Sequence, residues 1–175
     1  MNSDSKVPDS ASPNLAVIAL GSNLGDSGQL LHAAMDRLQA FSEKPLRCSS
    51  LWQTAPVDCP PGSPAFVNAV VALVPREGET PESLLAELQM LEKEFGRSPK
   101  LVFNAPRPLD LDIIAFGNEV RATQSLTLPH PRAHLRRFVL APLAEVAPDF
   151  VLLGQTQTVA ELLAVLPSEE SARRL

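Results

Sequence analysis

Asp110 and Asp112 stand two residues apart in Ala105-Pro106-Arg107-Pro108-Leu109-Asp110-Leu111-Asp112-Ile113-Ile114. Apolar residues alternate there with acids, as on a strand with one wet and one dry face. Side chains alternate across a strand, so both carboxylates share a face while Leu109, Leu111 and Ile113 turn toward a core. Two adjacent carboxylates repel unless a cation lies between them. A hard divalent ion such as Mg²⁺ suits the pair and commonly binds together with substrate phosphates. Arg107, just upstream, carries a planar guanidinium fitted to pairs of phosphate oxygens. Metal and phosphate chemistry is therefore the reading these residues favour. The plainer alternative is an edge strand kept acidic on its outer face against aggregation.

Such a strand needs a frame. Leu15 to Leu20 reads as a buried strand ending at Gly21-Ser22-Asn23 and a turn through Gly25-Asp26. Leu30, Leu31, Ala34, Leu38 and Phe41 recur at a helical period within residues 29–41. Residues 46–53 alternate like a strand, and residues 66–74 form another. The proline-rich stretch 54–65 between them is longer than a hairpin needs, and surplus loop length often serves binding. Thr80-Pro81-Glu82-Ser83 opens a helix with a capping threonine, proline at the first position and an acid in the first turn, and Gly96 ends it. The acidic strand follows a second long connection, 97–105. Leu126-Thr127-Leu128-Pro129-His130 is a short extended piece. Residues 132–145 lean toward helix with an interruption at Pro142, and residues 159–166 form a last short helix. The order strand, helix, strand, strand, helix, strand predicts a ferredoxin-like α/β sandwich of the α+β class, an antiparallel sheet with helices packed on one face.

The chain has 175 residues, enough for one domain with its own core, here expected over residues 14–166. Residues 1–13 read as a disordered lead-in and 167–175 as a frayed tail. A net charge of -5 argues against nonspecific nucleic-acid binding. Cys48 and Cys59 match no metal or redox spacing and read as reduced thiols, a disulfide being the alternative. The polar start lacks a signal-peptide layout, and 15–20 is too short to span a bilayer. A cytoplasmic protein with no membrane partner is expected. The seventeen prolines gather in connections such as Cys59-Pro60-Pro61-Gly62-Ser63-Pro64, which suggests shaped loops. Gly21-Ser22-Asn23 with Gly25 lacks the GxxxxGK[ST] pattern of a phosphate loop, so Ser22 and Asn23 are expected to bond locally to the backbone.

Four segments together resemble the 6-hydroxymethyl-7,8-dihydropterin pyrophosphokinase family: Ala19-Leu20-Gly21-Ser22-Asn23-Leu24-Gly25-Asp26, Phe66-Val67-Asn68-Ala69-Val70, Pro106-Arg107 with Leu109-Asp110-Leu111-Asp112, and Leu126-Thr127-Leu128-Pro129-His130. They follow in the family's order and rough spacing over residues 15 to about 150. The resemblance implies transfer of the β,γ-diphosphate of ATP to the pterin hydroxymethyl group, with release of AMP, in folate biosynthesis. It implies two Mg²⁺ ions held by Asp110 and Asp112, with Asp112 placed to help take the hydroxyl proton. Arg107 and Arg136 become phosphate grips, with Arg97 a third. Gln89, Glu92, Ile113, Thr127 and His130 fall on the nucleotide side. Gln89 and Glu92 share a helix face, for which a solvated surface is the alternative. Thr54, Ala55, Val57, Phe66, Asn68 and Phe138 fall around the pterin. Asn68 has a carboxamide able to donate and accept against the ring's amide edge, and Phe138 is the stacking partner. His32 and His134 have no match and read as surface residues, and Trp52 as packing at a loop base. A monomer acting on ATP and the pterin is expected.

The chain departs from the family around the lid and nucleotide rim. Asn104 stands where many members carry a tryptophan, Phe103 and Ser125 replace basic residues, Pro99 replaces an arginine of some members, and Pro131 follows the histidine where an aromatic is common. Altered lid closure with activity retained is the expectation. Two other classes compete. A metal-dependent nucleotidyl- or glycosyltransferase also uses Asp-x-Asp, but leaves Asn68 and the 127–130 segment without a role. A ferredoxin-like binding domain has no need of adjacent unpaired acids.

Overall fold

The computed structural model describes residues 14–99, 104–167 and 171–175. The 1–13 lead-in and Phe103 lie outside these described residues. In chain order the elements are β1 (Ala16–Ser22), α1 (Ser27–Leu38), a 3-10 turn (Gln39–Phe41), β2 (Arg47–Cys48), β3 (Trp52–Thr54), β4 (Phe66–Leu73), α2 (Pro81–Glu94), β5 (Asp110–Phe116), β6 (Arg121–Ala122), β7 (Thr127–Leu128), a second 3-10 turn (Ala133–Leu135), α3 (Arg137–Val146), α4 (Val159–Val165) and β8 (Ala172–Arg174). Six strands form one sheet in the order β5-β1-β4-β3-β8, with β2 also on β4. Every pairing in it is antiparallel. This is the ferredoxin-like sandwich the element order predicts. Among the described residues no helix is long and apolar enough to cross a membrane.

The helices do not keep to one face, as the element order suggested. α1 and α2 cover one side through Leu31, Ala34, Leu38, Leu84, Leu88 and Leu91, packed on Ile18, Leu20, Val71 and Leu111. α3 and α4 cover the other through Val139, Leu140, Leu143, Val159 and Leu162, packed on Val17, Val70 and Ile114. The reason lies in the central strands. In β1, Ala16, Val17 and Ile18 are all fully buried, so successive residues on both faces are apolar and each face needs a cover.

Three further departures have local causes. The expected strand 46–53 is split because the Ser49 hydroxyl accepts from the Val70 amide (2.9 Å), taking the place of a backbone carbonyl in the ladder. Pro142 sits inside α3 without ending it. Burial of Val139, Leu140 and Leu143 around it holds the helix against the missing hydrogen bond. The expected frayed tail instead forms β8. Its partner β3 would otherwise expose unpaired edge groups, which an added strand satisfies. The register is Thr54 with Ala172, Gln53 with Arg173 and Trp52 with Arg174. Side chains fix it too, because Arg173 Nη2 donates to Gln53 Oε1 (2.9 Å) and Arg174 Nε to Ser50 Oγ (2.9 Å).

Candidate active site

Strand register assembles the site. Asp110 opposes Gly21, Gly21 opposes Asn68, Asn68 opposes Trp52, and Trp52 opposes Arg174. One step along, Asp112 opposes Ala19 and Ala19 opposes Val70. Directly opposed residues share a face, so both acids and Asn68 lie on the side of α3. Two strand spacings separate Asp110 from Asn68, about 10 Å at ~4.8 Å each. The residues between and beside them are small, which leaves the cleft floor open. A side chain at Gly21 would crowd that floor, since a Cβ there would stand 3.2 Å from Asn68 Oδ1 and push on the carboxamide.

The register slips between Val17 and Ile18, passing over Ile114. Ile114 and Ala115 consequently both face the α3 layer, whereas Ile113 is buried in the α1 and α2 layer. The Ile113 side chain thus points away from the carboxylates, and only its backbone is left to meet a nucleotide.

β5 is the outer strand of the sheet, and its free edge is capped from two sides. The Leu111 amide donates to Glu92 Oε1 (2.7 Å), and the His130 amide donates to the Ile114 carbonyl (2.9 Å). Glu92 is therefore buried and engaged in the framework, a role that neither of its sequence readings anticipates; Gln89 is exposed. α2 ends in a way that delivers Arg97 to the same place. Gly96, at φ +90, lets the Arg97 amide bond back to the Glu92 carbonyl (3.0 Å) and its own amide to Lys93 (3.0 Å), a double closure that a left-handed glycine permits. Arg97 Nη1 then donates to Asp110 Oδ1 at 2.7 Å and to Glu92 Oε1. Arg107 Nε lies 3.7 Å from Asp110 Oδ2 and is buried with no hydrogen-bond partner among the described residues.

Asn23 holds Arg107 in position. Its Oδ1 accepts from the Arg107 amide (2.9 Å), while its own amide donates to the Arg107 carbonyl (3.2 Å). The expected local bonding holds for neither residue of that turn, since Ser22 Oγ donates to Ser27 Oγ (2.9 Å). No spacing in the sequence signals a contact across 84 positions.

Charge is concentrated on the cleft floor. Asp112 is open to solvent but low in the cleft, among many protein atoms. This desolvation raises its carboxyl to about 7, Asp110 and Glu92 add to the rise, and Arg107 and Arg97 oppose it. Burial also raises Glu92, against the pull of the Leu111 amide and Arg97. Arg136, at the residue before α3, is lowered by burial and by Arg132 and supported by Asp112, Asp58 and Asp110. Its guanidinium lies over the Phe138 ring, 5.3 Å from the centroid. Asp58, which faces it, is a site residue the sequence reading missed. His130 is pushed down to about 4 by burial, Arg136 and Arg132, so it is neutral at pH 7. Its Nδ1 accepts from the Arg132 amide (3.2 Å), which leaves the ring proton on Nε2, free to donate. Thr127 is exposed on β7.

The opposite half of the cleft is amide-bearing and aromatic. Asn68 Nδ2 donates to Thr54 Oγ1 (2.6 Å), and both residues are buried. That bond fixes the carboxamide, which otherwise has no reason to sit in an apolar strand. Phe66 is paired with Thr54, and Thr54, Ala55, Val57 and Phe138 line one pocket. Trp52 donates from Nε1 to Glu145 Oε1 (2.5 Å) on α3, in keeping with packing at the loop base. Asn104 reaches the loop as well, donating from Nδ2 to the Asp58 carbonyl (2.8 Å). His32 is exposed, and His134 half-buried.

Among the described residues no three His, Cys, Asp or Glu side chains converge as a ready metal cage. Two carboxylates side by side on an open floor are nonetheless a donor set suited to Mg²⁺, which usually completes its shell with water and phosphate oxygens.

A family model described as 7,8-dihydro-6-hydroxymethylpterin-pyrophosphokinase matches residues 17–148. The chain is 42% identical over 150 residues to the 2-amino-4-hydroxy-6-hydroxymethyldihydropteridine pyrophosphokinase of Haemophilus influenzae, covering 85% of this chain and 90% of that one. It is 40% identical over 134 residues to the folic acid synthesis protein fol1 of Pneumocystis carinii, covering 77% of this chain but only 18% of fol1. In fold it resembles the wild-type Plasmodium falciparum HPPK-DHPS crystallised with pteroate, at a TM-score of 0.68 and 13% identity, over 86% of this chain and 44% of that one. A match spanning most of the sequence, together with a relative of similar length, settles the grouping: the chain belongs to the 7,8-dihydro-6-hydroxymethylpterin-pyrophosphokinase family, the pyrophosphokinases of folate synthesis.

Proposed function

We propose that this cleft transfers the β,γ-diphosphate of ATP to the hydroxymethyl oxygen of 6-hydroxymethyl-7,8-dihydropterin, releasing AMP. The observation that carries the reading is the single cross-strand row in which Asp110, Gly21 and Asn68 follow one another. It sets a carboxylate and a carboxamide on one floor, about 10 Å apart by strand spacing, which supports a phosphate-and-metal end beside an amide-recognising one. That separation suits a pterin whose hydroxymethyl group reaches toward the phosphates.

In this reading Asp110 and Asp112 would hold two Mg²⁺ ions, which would neutralise phosphate charge and align the attacking and leaving oxygens. Arg107, Arg136 and Arg97 grip phosphate oxygens, each as a fixed planar donor. Arg97 must exchange its bond to Asp110 for one to phosphate when the nucleotide arrives. His130 donates from Nε2 to the nucleotide, and Thr127, Gln89 and the Ile113 backbone border it. Glu92 acts at one remove, by holding Arg97 and β5. Asn68, fixed by Thr54, reads the pterin's amide edge; Phe138 and Phe66 flank the ring, and Ala55 and Val57 close the loop side. Asp112 receives the hydroxyl proton as the oxygen attacks the β-phosphorus and the bond to the α-phosphate oxygen breaks. We also take the protein to act as a cytoplasmic monomer on these two substrates.

Asp112→Asn tests the arrangement. Turnover should fall by at least about a hundredfold, as when a transition-state charge partner is removed, with the circular dichroism spectrum unchanged. Near-normal turnover would remove Asp112 from the site.

A further inference from the structure

Two observations bring β8 to the pterin half of the cleft. The first is register. Ala172 opposes Thr54, which in turn opposes Phe66, so Ala172 lies on the same face as the two residues that flank Asn68. The second is shape. The pocket lined by Thr54, Ala55, Val57 and Phe138 is lined by Arg137, Ser171 and Ala172 as well.

The strand is also anchored by contacts along its length. Glu145 accepts from the Ser50 hydroxyl (2.9 Å) and from Trp52 Nε1 (2.5 Å), and Arg174 Nη2 lies 3.8 Å from its second oxygen. The Leu175 amide donates to the Leu51 carbonyl (2.9 Å). Arg137 Nη2 donates to the Leu166 carbonyl (3.1 Å), tying the chain that leads to β8 back to the start of α3 beside Phe138. Arg173, by contrast, points to the other face, where it bonds Gln53.

We infer that β8 is a wall of the pterin slot, and that the small side chain of Ala172 sets the slot's width beside Thr54. Ser171 and Ala172 are positioning residues in this arrangement. They hold the flat heterocycle against Phe138 and leave the phosphate chemistry untouched. The inference rests on the reaction proposed above.

Ala172→Leu in the full chain tests it, with ATP, Mg²⁺ and 6-hydroxymethyl-7,8-dihydropterin as reactants. Overfilling a packed slot costs enough to raise the pterin KM about tenfold, equivalent to about 1.4 kcal/mol. The ATP KM and the melting temperature should stay at wild-type values. A pterin KM within about twofold of wild type for Ala172→Leu would overturn the inference. So would a parallel rise in both KM values with a lowered melting temperature, which marks a merely structural strand. AMP formation by the unaltered protein, measured first, separates failure of this inference from failure of the reaction itself.

Discussion

Asp112 carries the plainest pH consequence of the crowded cleft floor. Its folded value of about 7 stands above the ordinary 3.8. The metal-free fold therefore favours the protonated acid: that stabilisation is complete below 3.8 and is lost as pH rises through about 7. Mg²⁺ needs the carboxylate ionised, so the rise in melting temperature that Mg²⁺ brings should be larger at about pH 8 than at about pH 5.5. Equal shifts at both values would show that Asp112 keeps no proton. His130 has the opposite sign. Its value near 4 lies below the ordinary 6.5, so its contribution is intact above 6.5 and is lost as pH falls toward 4. His130→Gln should flatten that part of the acid limb of the stability curve. At Gly21, Ala would bring a Cβ to 3.2 Å from Asn68 Oδ1 and turn the carboxamide. A severalfold rise in pterin KM, with the ATP KM unchanged, is the expected result. The residues that formed the sequence argument, Asp110, Asp112, Arg107 and Asn68, could be picked out because a charge or an amide in an apolar strand is costly without a task. Asn23, Asp58 and the true engagement of Glu92 could not. Their roles depend on which distant group they meet, the Arg107 backbone for Asn23, the Leu111 amide for Glu92 and the Arg136 side chain for Asp58, and no periodicity encodes that.

Among the elements, the end of α2 is the most consequential for the chemistry. The φ of +90 at Gly96 supports the turn that sends Arg97 back to Asp110. Ala there would cost about 1 kcal/mol in left-handed strain. It should lower the melting temperature by a few degrees and reduce turnover by more than its effect on stability, because Arg97 would leave the cleft. Unchanged turnover would make Arg97 dispensable. The helices and the long strands were readable because apolar spacing and caps are local signals: Thr80 does cap α2 as the sequence suggests, accepting from the Ser83 amide. Short strands were not. Arg47–Cys48 is set by a serine replacing a carbonyl, and the Ala172–Arg174 strand by an open edge elsewhere in the chain, so both are decided by partners. The slip in β5 is of the same kind, visible only as a register against β1.

For the whole molecule, the ferredoxin-like sheet follows from element order, while its second helical layer follows from the two-sided apolar character of β1 and β4. That second layer matters for function because α3 packs on the sheet face that carries Asp110 and Asn68, bringing Arg136 and Phe138 together to that side. In the proposed reaction the sheet joins a phosphate end to a pterin end by register. The decisive measurement is the product formed when the protein is incubated with ATP, Mg²⁺ and 6-hydroxymethyl-7,8-dihydropterin. AMP should appear in equal amount with a pterin diphosphate; no AMP above background, or ADP in its place, would contradict diphosphate transfer.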